Sequence, residues 1–275
     1  MLRTRFLTAV VLIPIVFLCI YRGALSFLTL VASFLTLAEI EFCRLVARDG
    51  FRPTLAFGLG TVWLFLVNTQ LQAHSSTLDL LQPGLALLLL SSLAWQLFHQ
   101  RSHPVVDWAL TMTGGLYLGV CGACIVNLRY LQPDGLWWTL IVIPAIIIAD
   151  SGAYFFGRAW GQRKLAPILS PHKTWEGYLA GVITSGALTA WLASIWRMKA
   201  ESTTAISGMH GLTLGILVAV FAPIGDLAIS MIKRQVGAKD SSGILPGHGG
   251  ALDRMDSVLW AAVIGYYYAK MFTPR

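Results

Sequence analysis

The sequence predicts an all-α, polytopic integral membrane protein with about nine transmembrane helices. Of its 275 residues, 56% are hydrophobic and 12% are charged, whereas a typical soluble domain has about 25% charged residues. The mean hydropathy is +0.68, which also places the chain among membrane proteins. A disordered chain is excluded by the same values, because such chains are poor in apolar residues and rich in charge.

Apolar runs long enough to cross a bilayer follow one another along the whole chain. A hydrocarbon core about 30 Å thick requires about 20 apolar residues in a helix. The predicted spans cover residues 6–21, 24–45, 54–72, 80–98, 108–131, 136–157, 174–196, 209–232 and 252–271. The first run lacks a small-x-small cleavage site and the second begins almost at once, so we expect a retained helix rather than a cleaved signal peptide.

The spans are predicted to form one continuous membrane domain. Residues 1–135 provide about five N-terminal spans, and residues 136–275 provide the C-terminal spans and the two longer loops, to which the chemistry inferred below is assigned. The net charge of +7 comes from Lys and Arg at the ends of apolar runs, which indicates membrane topology rather than a nucleic-acid partner. Most of these cations fall on one side if the N-terminus is cytoplasmic, so the longer loops 158–173 and 233–251 are predicted to face the cytoplasm.

Acidic side chains gather around these two loops. Asp150 and Asp226 each follow a long apolar run. A charge at the bilayer centre costs about 2.5–3.5 kcal/mol on insertion scales, so such residues are usually functional. The alternative is that each carboxylate lies at the interface at little cost. Several carboxylates at the same end of a helix bundle favour the functional interpretation.

A second acidic pattern begins the last span. Asp253 and Asp256 are three residues apart and therefore share one face of a helix. Two carboxylates this close repel each other unless a cation lies between them. Residues 247–250 form a glycine-rich turn directly before them, and amides at a helix N-terminus bind anions. Mg²⁺ prefers carboxylates together with phosphate oxygens and water, so the segment favours phosphoryl chemistry.

Loop 158–173 contains the matching cations. Lys173 stands at the start of the seventh predicted span, where a phosphate would be attracted. Ser170 and Thr174 are residues that can cap a helix. A solvated cytoplasmic loop is the alternative for the basic residues. His248, between glycines, suits a general base, a metal ligand or a phosphate donor, and the sequence leaves these three roles open.

Taken together, these motifs resemble the signature of phosphatidate cytidylyltransferases, also called CDP-diacylglycerol synthases. The resemblance is carried by residues 150–154, 170–177, 225–227 and 230–256. Before residue 149 it is weak, apart from Glu41 and Phe42. The family usually has an acidic residue before the position of Ser230, where this chain has Ile229.

The resemblance implies a reaction, a cofactor and a setting. The reaction transfers CMP from CTP to phosphatidate, forming CDP-diacylglycerol and pyrophosphate for phospholipid biosynthesis. The cofactor is Mg²⁺, with a second cation left open. The setting is a multi-pass protein of the cytoplasmic (inner) membrane, commonly a homodimer, whose active site faces the cytoplasm.

The resemblance also implies roles for individual residues. The metal ligands would be Asp226, Asp253 and Asp256. The catalytic set would comprise these three with Asp240, Lys239 and His248. The candidates for substrate contacts are Lys173, Ser170, Thr174, Lys233, Arg234, Arg254, Gly249, Gly250 and Asp150.

Two other functions fit parts of this pattern. A CTP-dependent lipid kinase would move the γ-phosphate with similar carboxylates and basic loops, but the full signature of residues 230–256 argues against it. An ion-coupled transporter would also place carboxylates in membrane helices. The clustering of acidic groups at one membrane face, together with the absence of a visible inverted repeat, argues against a transporter.

Overall fold

The described chain consists of nine helices and one short hairpin. The structure is a computed structural model that describes residues 2–74, 78–99, 102–200, 204–244 and 249–273. The helices are α1 (Leu2–Arg22), α2 (Ala24–Ala47), α3 (Leu55–His74), α4 (Leu81–Phe98), α5 (Pro104–Tyr130), α6 (Gly135–Trp160), α7 (Trp175–Lys199), α8 (Gly208–Gln235) and α9 (Ala251–Phe272). The strands β1 (Lys164–Ala166) and β2 (Ser170–Thr174) lie between α6 and α7. Each predicted span coincides with one helix, which confirms the all-α prediction.

Six of the described helices are long and apolar enough to cross a membrane. They are α2 from Leu25 onward, α4, α5, α6, α7 and α8, and α8 is the most apolar, with a mean hydropathy of 2.2 over its best window. The chain is therefore a multi-pass membrane protein. The count of nine spans stays a prediction, because the described parts of α1, α3 and α9 do not reach the same length and hydropathy.

The chain divides into two compact units. The first comprises Met1–Val126 and Ile232–Met255, and the second comprises Asn127–Met231 and Asp256–Arg275. Both α8 and α9 therefore contribute residues to each unit. The predicted partition of the membrane domain at residue 135 stays a prediction.

In the second unit, α6 and α7 pack closely through small residues. A Cβ atom added to Gly177 would lie 2.6 Å from the carbonyl oxygen of Ala153, and one added to Gly181 would lie 2.8 Å from that of Ala149. Lipid tails are as apolar as the side chains of membrane helices, so the hydrophobic effect does not drive these helices together. Close van der Waals packing through small residues stabilises their association instead. The packing fixes the end of α6 against the start of α7.

The loop predicted at residues 158–173 contains the β-hairpin. Lys164 pairs with Thr174 and Ala166 pairs with Ser170 in antiparallel register. Glu176 anchors the start of the hairpin by accepting hydrogen bonds from the backbone amides of Gln162 (3.1 Å) and Arg163 (3.2 Å). The strands lack an alternating apolar pattern, so sequence periodicity gave no signal for them.

The two residues predicted as possible caps have different places. Thr174 is the N-cap of α7, and its hydroxyl accepts from the amide of Gly177 at 3.2 Å. This confirms the capping prediction for Thr174. Ser170 lies inside β2, so it caps no helix and the same prediction is wrong for Ser170.

Candidate active site

A buried ion pair joins α8 to α9 in the first unit. The ammonium of Lys233 lies 2.6 Å from Oδ1 of Asp253, and the two side chains are 9% and 6% exposed. Taking two charges out of water is costly unless they are paired and hydrogen-bonded. Lys233 was predicted to contact substrate, but in this structure its ammonium binds Asp253.

The second oxygen of Asp253 is held by three donors. Oδ2 accepts from the amide of Ser241 (2.8 Å), the hydroxyl of Ser241 (2.9 Å) and the amide of Gly250 (3.0 Å). Lys233 and these donors together satisfy both oxygens of the carboxylate. Asp253 is therefore rigidly positioned.

The helix N-terminus of α9 is occupied by a residue far away in the sequence. Glu41 of α2 is fully buried and accepts from the amides of Ala251 (3.0 Å) and Leu252 (2.8 Å). With Gly250 bound to Asp253, three amides at this N-terminus hold carboxylates of the protein itself. We expected these amides to be free for a phosphate, and that prediction is wrong for these three.

Glycines 249 and 250 make room for this arrangement. Gly249 has a φ of +79°, and an added Cβ would lie 2.9 Å from Oδ2 of Asp253. At Gly250 an added Cβ would lie 2.0 Å from the Ser241 hydroxyl and 2.3 Å from a Glu41 oxygen. Both glycines thus serve the packing of protein groups in this structure, and their predicted contact with substrate stays a prediction.

We therefore expect Gly250→Ala to destabilise the protein and to reduce its turnover. Overpacking of this kind typically costs about 1–3 kcal/mol, because backbone or side chains must shift. The midpoint of thermal unfolding in detergent and the rate of turnover measure the two effects. Gly243→Ala is the matched control, since a Cβ at Gly243 has nothing within 4 Å. Equal behaviour of the two variants would contradict this packing argument.

The turn after α8 orients the remaining predicted residues of the first unit. The amide of Ala238 donates to the carbonyl oxygen of Lys233 (2.8 Å), and the amide of Gly237 donates to the carbonyl oxygen of Arg234 (3.1 Å). Gly237 has a φ of +66°. These bonds form a Schellman motif, which ends a helix with glycine in the left-handed region. Beyond this turn Lys239 and Asp240 are exposed, as is Arg254 on α9.

A second ion pair, in the second unit, connects the hairpin to α8. The ammonium of Lys173 lies 2.5 Å from Oδ2 of Asp226, and the side chains are 28% and 29% exposed. The hydroxyl of Ser230 donates to Oδ1 of Asp226 at 3.4 Å. Asp226 is thus placed to hold a cation while remaining in contact with solvent.

Close backbone packing brings α8 to α9 beside this pair. A Cβ added to Gly225 would lie 2.3 Å from the carbonyl oxygen of Asp256 and 2.6 Å from the ring of Trp260. The residue before Asp226 therefore lies against the turn that carries Asp256. Asp256 is buried, and its Oδ1 accepts from the amide of Ser257 at 2.6 Å.

A cavity of about 590 Å³ lies in the second unit between α6, the hairpin, α7 and α8. Its basic side chains are Arg158, Lys164, His172 and Lys173. Asp150 also lines it, and its predicted contact with substrate stays a prediction. The rest of the lining is mainly apolar or small, and includes Ala149, Leu165, Tyr178, Ala219 and Pro223. The lining of the cavity thus contains both cationic and apolar side chains.

The structure leaves the predicted roles of His248 and of the metal ligands untested. His248 lies outside the described residues, so its predicted roles stay open. Among the residues that the structure describes, no group of three or more His, Cys, Asp or Glu side chains is arranged to hold a metal ion. Glu41 was not among the predicted site residues and entered only as part of the weak resemblance before residue 149; an acidic residue within the apolar run 24–45 was the signal for it.

Comparison with known proteins identifies a family and several relatives of this chain. The Cytidylyltransferase family matches residues 3–272. The chain is 34% identical to a phosphatidate cytidylyltransferase of Brucella melitensis, over 98% of this chain and 94% of that protein. It is 33% identical to a phosphatidate cytidylyltransferase of Haemophilus influenzae and 29% identical to one of Bacillus subtilis, in both cases over 99% of each chain.

Proposed function

The chain belongs to the cytidylyltransferase family, and we propose that it transfers the cytidylyl group of CTP to phosphatidate within the membrane. The products are CDP-diacylglycerol, a precursor in phospholipid biosynthesis, and pyrophosphate. The relatives named phosphatidate cytidylyltransferase support this reaction over nearly the whole length of the chain. The observation that carries the proposal is the cavity with Lys173, which combines cations with an apolar lining.

The reaction requires little acid–base chemistry from the protein. An oxygen of the phosphatidate phosphate attacks the α-phosphorus of CTP in line, and a new P–O bond forms. The bond from the α-phosphorus to the bridging oxygen breaks, and pyrophosphate leaves with the electron pair. The nucleophile is already an anion, so the main barrier is bringing polyanions together and stabilising the leaving charge.

The chain's own cations answer this electrostatic requirement. Arg158, Lys164 and Lys173 line the cavity, and Lys233 lies in the last turn of α8. Fixed cations lower the barrier because they are aimed at the developing charge before the reaction begins. Lys173 and Lys233 each bind a carboxylate in this structure, so both are already held in place by charge.

We propose that Mg²⁺ binds at Asp226, Asp253 and Asp256. Whether a second cation binds beside it stays open. The donor set fits in its chemistry, because Mg²⁺ prefers carboxylate oxygens shared with phosphate and water, and the ion would take the place that the ammonium groups of Lys173 and Lys233 occupy in this structure. Asp226 and Asp253 each hold a lysine ammonium, which supports their suitability for a cation. When bound, Mg²⁺ would neutralise charge on the phosphates of CTP. The catalytic and substrate roles predicted for Asp240, Lys239, Arg234 and Arg254 remain part of this proposal.

The cellular setting is also part of the proposal. We place the protein in the cytoplasmic membrane of a bacterium, since the three relatives described above come from bacteria. The active site would face the cytoplasm, where CTP is available and where the positive-inside rule orients the basic loops. We also propose that the protein forms a homodimer, as the family resemblance implies.

The proposed reaction is tested with CTP labelled on either the α- or the γ-phosphorus. Purified protein in detergent would be incubated with phosphatidate and Mg²⁺. We expect label from the α position in the lipid and release of pyrophosphate. Label from the γ position in the lipid would identify a CTP-dependent lipid kinase instead. Label in neither case would overturn the proposal and direct attention to other lipid acceptors and then to transport.

The cavity favours the lipid substrate over the nucleotide, because an amphiphile needs both cationic and apolar side chains in the lining of its site. We expect Arg158→Ala to raise the KM for phosphatidate about tenfold, since hydrogen bonds to charged groups contribute about 1.5–3 kcal/mol. The KM for CTP should change little. Initial rates with each substrate varied in turn measure both constants.

The matched control for this variant is Arg163→Ala. Arg163 is an exposed cation just before the same hairpin and is not among the residues that line the cavity. We expect both KM values of the control to stay near those of the unaltered protein. A rise in the KM for CTP alone in Arg158→Ala would assign the cavity to the nucleotide.

A further inference from the structure

We propose that Glu41 is a positioning residue that acts on Asp253 through Ser241 and the first residues of α9. This inference rests on the proposed function, in which Asp253 belongs to the catalytic carboxylates. Glu41 lies in α2, about 200 residues before the groups it binds, and all of these groups belong to the first unit.

The contacts of Glu41 use its whole carboxylate. Oε1 accepts from the hydroxyl of Ser242 at 2.5 Å and from the amide of Ala251 at 3.0 Å. Oε2 accepts from the hydroxyl of Ser241 at 2.8 Å and from the amide of Leu252 at 2.8 Å. A carboxylate offers about four acceptor positions, and two hydroxyls and two backbone amides lie within hydrogen-bond distance of them. Because Glu41 is also 0% exposed, it contacts neither substrate nor solvent.

The side chain of Ser241 connects Glu41 to Asp253. Its oxygen lies 2.8 Å from Oε2 of Glu41 and 2.9 Å from Oδ2 of Asp253. A hydroxyl has one proton, so it can donate to only one of these carboxylates at a time. The amide of Ser241 donates to the same Asp253 oxygen at 2.8 Å. A displacement of Ser241 would therefore move the donors that hold Asp253.

Glu41 also fixes the helix that carries Asp253. Its negative charge lies at the N-terminus of α9, where the helix dipole favours an anion. The amides of Ala251 and Leu252 have no partner within the first turn of the helix, so a buried helix end needs an acceptor from elsewhere. Glu41 supplies this acceptor for both amides and thus sets the position at which α9 begins.

The variant Glu41→Gln tests this role with almost no change of size. Each Glu41 oxygen faces a backbone amide, so the NH₂ group of Gln would oppose an N–H in either orientation. Glu39→Gln is the matched control, because Glu39 is equally buried in the same helix but accepts from the thiol of Cys43 within α2.

The first measurement is hydrogen–deuterium exchange over residues 249–256, which does not depend on activity. We expect faster exchange in Glu41→Gln by at least about tenfold, and no change there in Glu39→Gln, because exchange reports local opening. Unchanged exchange in Glu41→Gln would overturn the proposed positioning of α9 even if the protein showed no cytidylyl transfer.

The second measurement is kinetic. We expect Glu41→Gln to lower kcat at least about tenfold and to raise the Mg²⁺ concentration for half-maximal turnover, with little change in the KM for phosphatidate. Combining it with Ser241→Ala should cost little more than either change alone, because residues of one network are not additive. Loss of folded protein with an unchanged kcat and Mg²⁺ requirement would show a merely structural role. Failure of cytidylyl transfer in the unaltered protein would instead overturn the proposed function.

Discussion

Asp253→Asn is expected to reduce turnover at least about 100-fold, as removal of a fixed electrostatic group in an active site commonly does. It should also destabilise the fold. Asp253 binds Lys233 in a pair that is almost completely buried, and removing one partner leaves an uncompensated charge. Breaking such a pair typically costs about 3–5 kcal/mol.

A double variant separates the two effects. Lys233→Gln combined with Asp253→Asn replaces the ion pair with a neutral pair of similar size, which can be as stable as the original pair. We expect the midpoint of thermal unfolding to recover in the double variant while turnover stays low. Turnover near that of the unaltered protein in folded Asp253→Asn, with Mg²⁺ present, would contradict the catalytic role of this carboxylate.

The predicted spans agree with the helices because span length is a local property. About 20 apolar residues in a row are visible without knowledge of their neighbours, so all the runs from 6–21 to 252–271 could be located. The hairpin at Lys164–Ala166 and Ser170–Thr174 was missed, because it depends on the anchoring of Gln162 and Arg163 by Glu176. No pattern within the strands themselves reports that contact.

The choice of candidate residues could be predicted, but their partners could not. The carboxylates Asp226 and Asp253 were recognisable from their position beside apolar runs and glycines. Their ion pairs with Lys173 and Lys233 depend on helix packing, which brings distant segments together. The same reason explains why both lysines were predicted only as contacts to phosphate.

The start of α9 shows a competition that sequence alone leaves undecided. Glycines before a helix predict free amides and an anion site, but buried amides must find acceptors in every state of the protein. Here Glu41 and Asp253 are these acceptors. A carboxylate in a distant helix thus takes the place that a local pattern assigned to phosphate.

Asp226→Asn is expected to lower turnover as strongly as Asp253→Asn, but to leave stability nearly unchanged. The pair of Asp226 with Lys173 is more than a quarter exposed on both sides, and exposed pairs contribute at most about 1 kcal/mol. Its contribution to turnover does not depend on burial of the ion pair, because the proposed role of this carboxylate is to hold the Mg²⁺ that would neutralise charge on the substrate phosphates. Substitution of Asp253 should therefore lower both stability and turnover, whereas substitution of Asp226 should lower turnover alone.

The comparison uses the unfolding midpoint and the kcat of Asp226→Asn, with Asp79→Asn as its control. Asp79 is an exposed carboxylate that accepts from the amide of Leu81, a bond that Asn can also make, so we expect no change in either quantity. A large loss of stability in Asp226→Asn would mean that this pair supports the fold. An unchanged kcat in folded protein would remove Asp226 from the proposed Mg²⁺ ligands and leave Asp253 and Asp256 to provide the carboxylates.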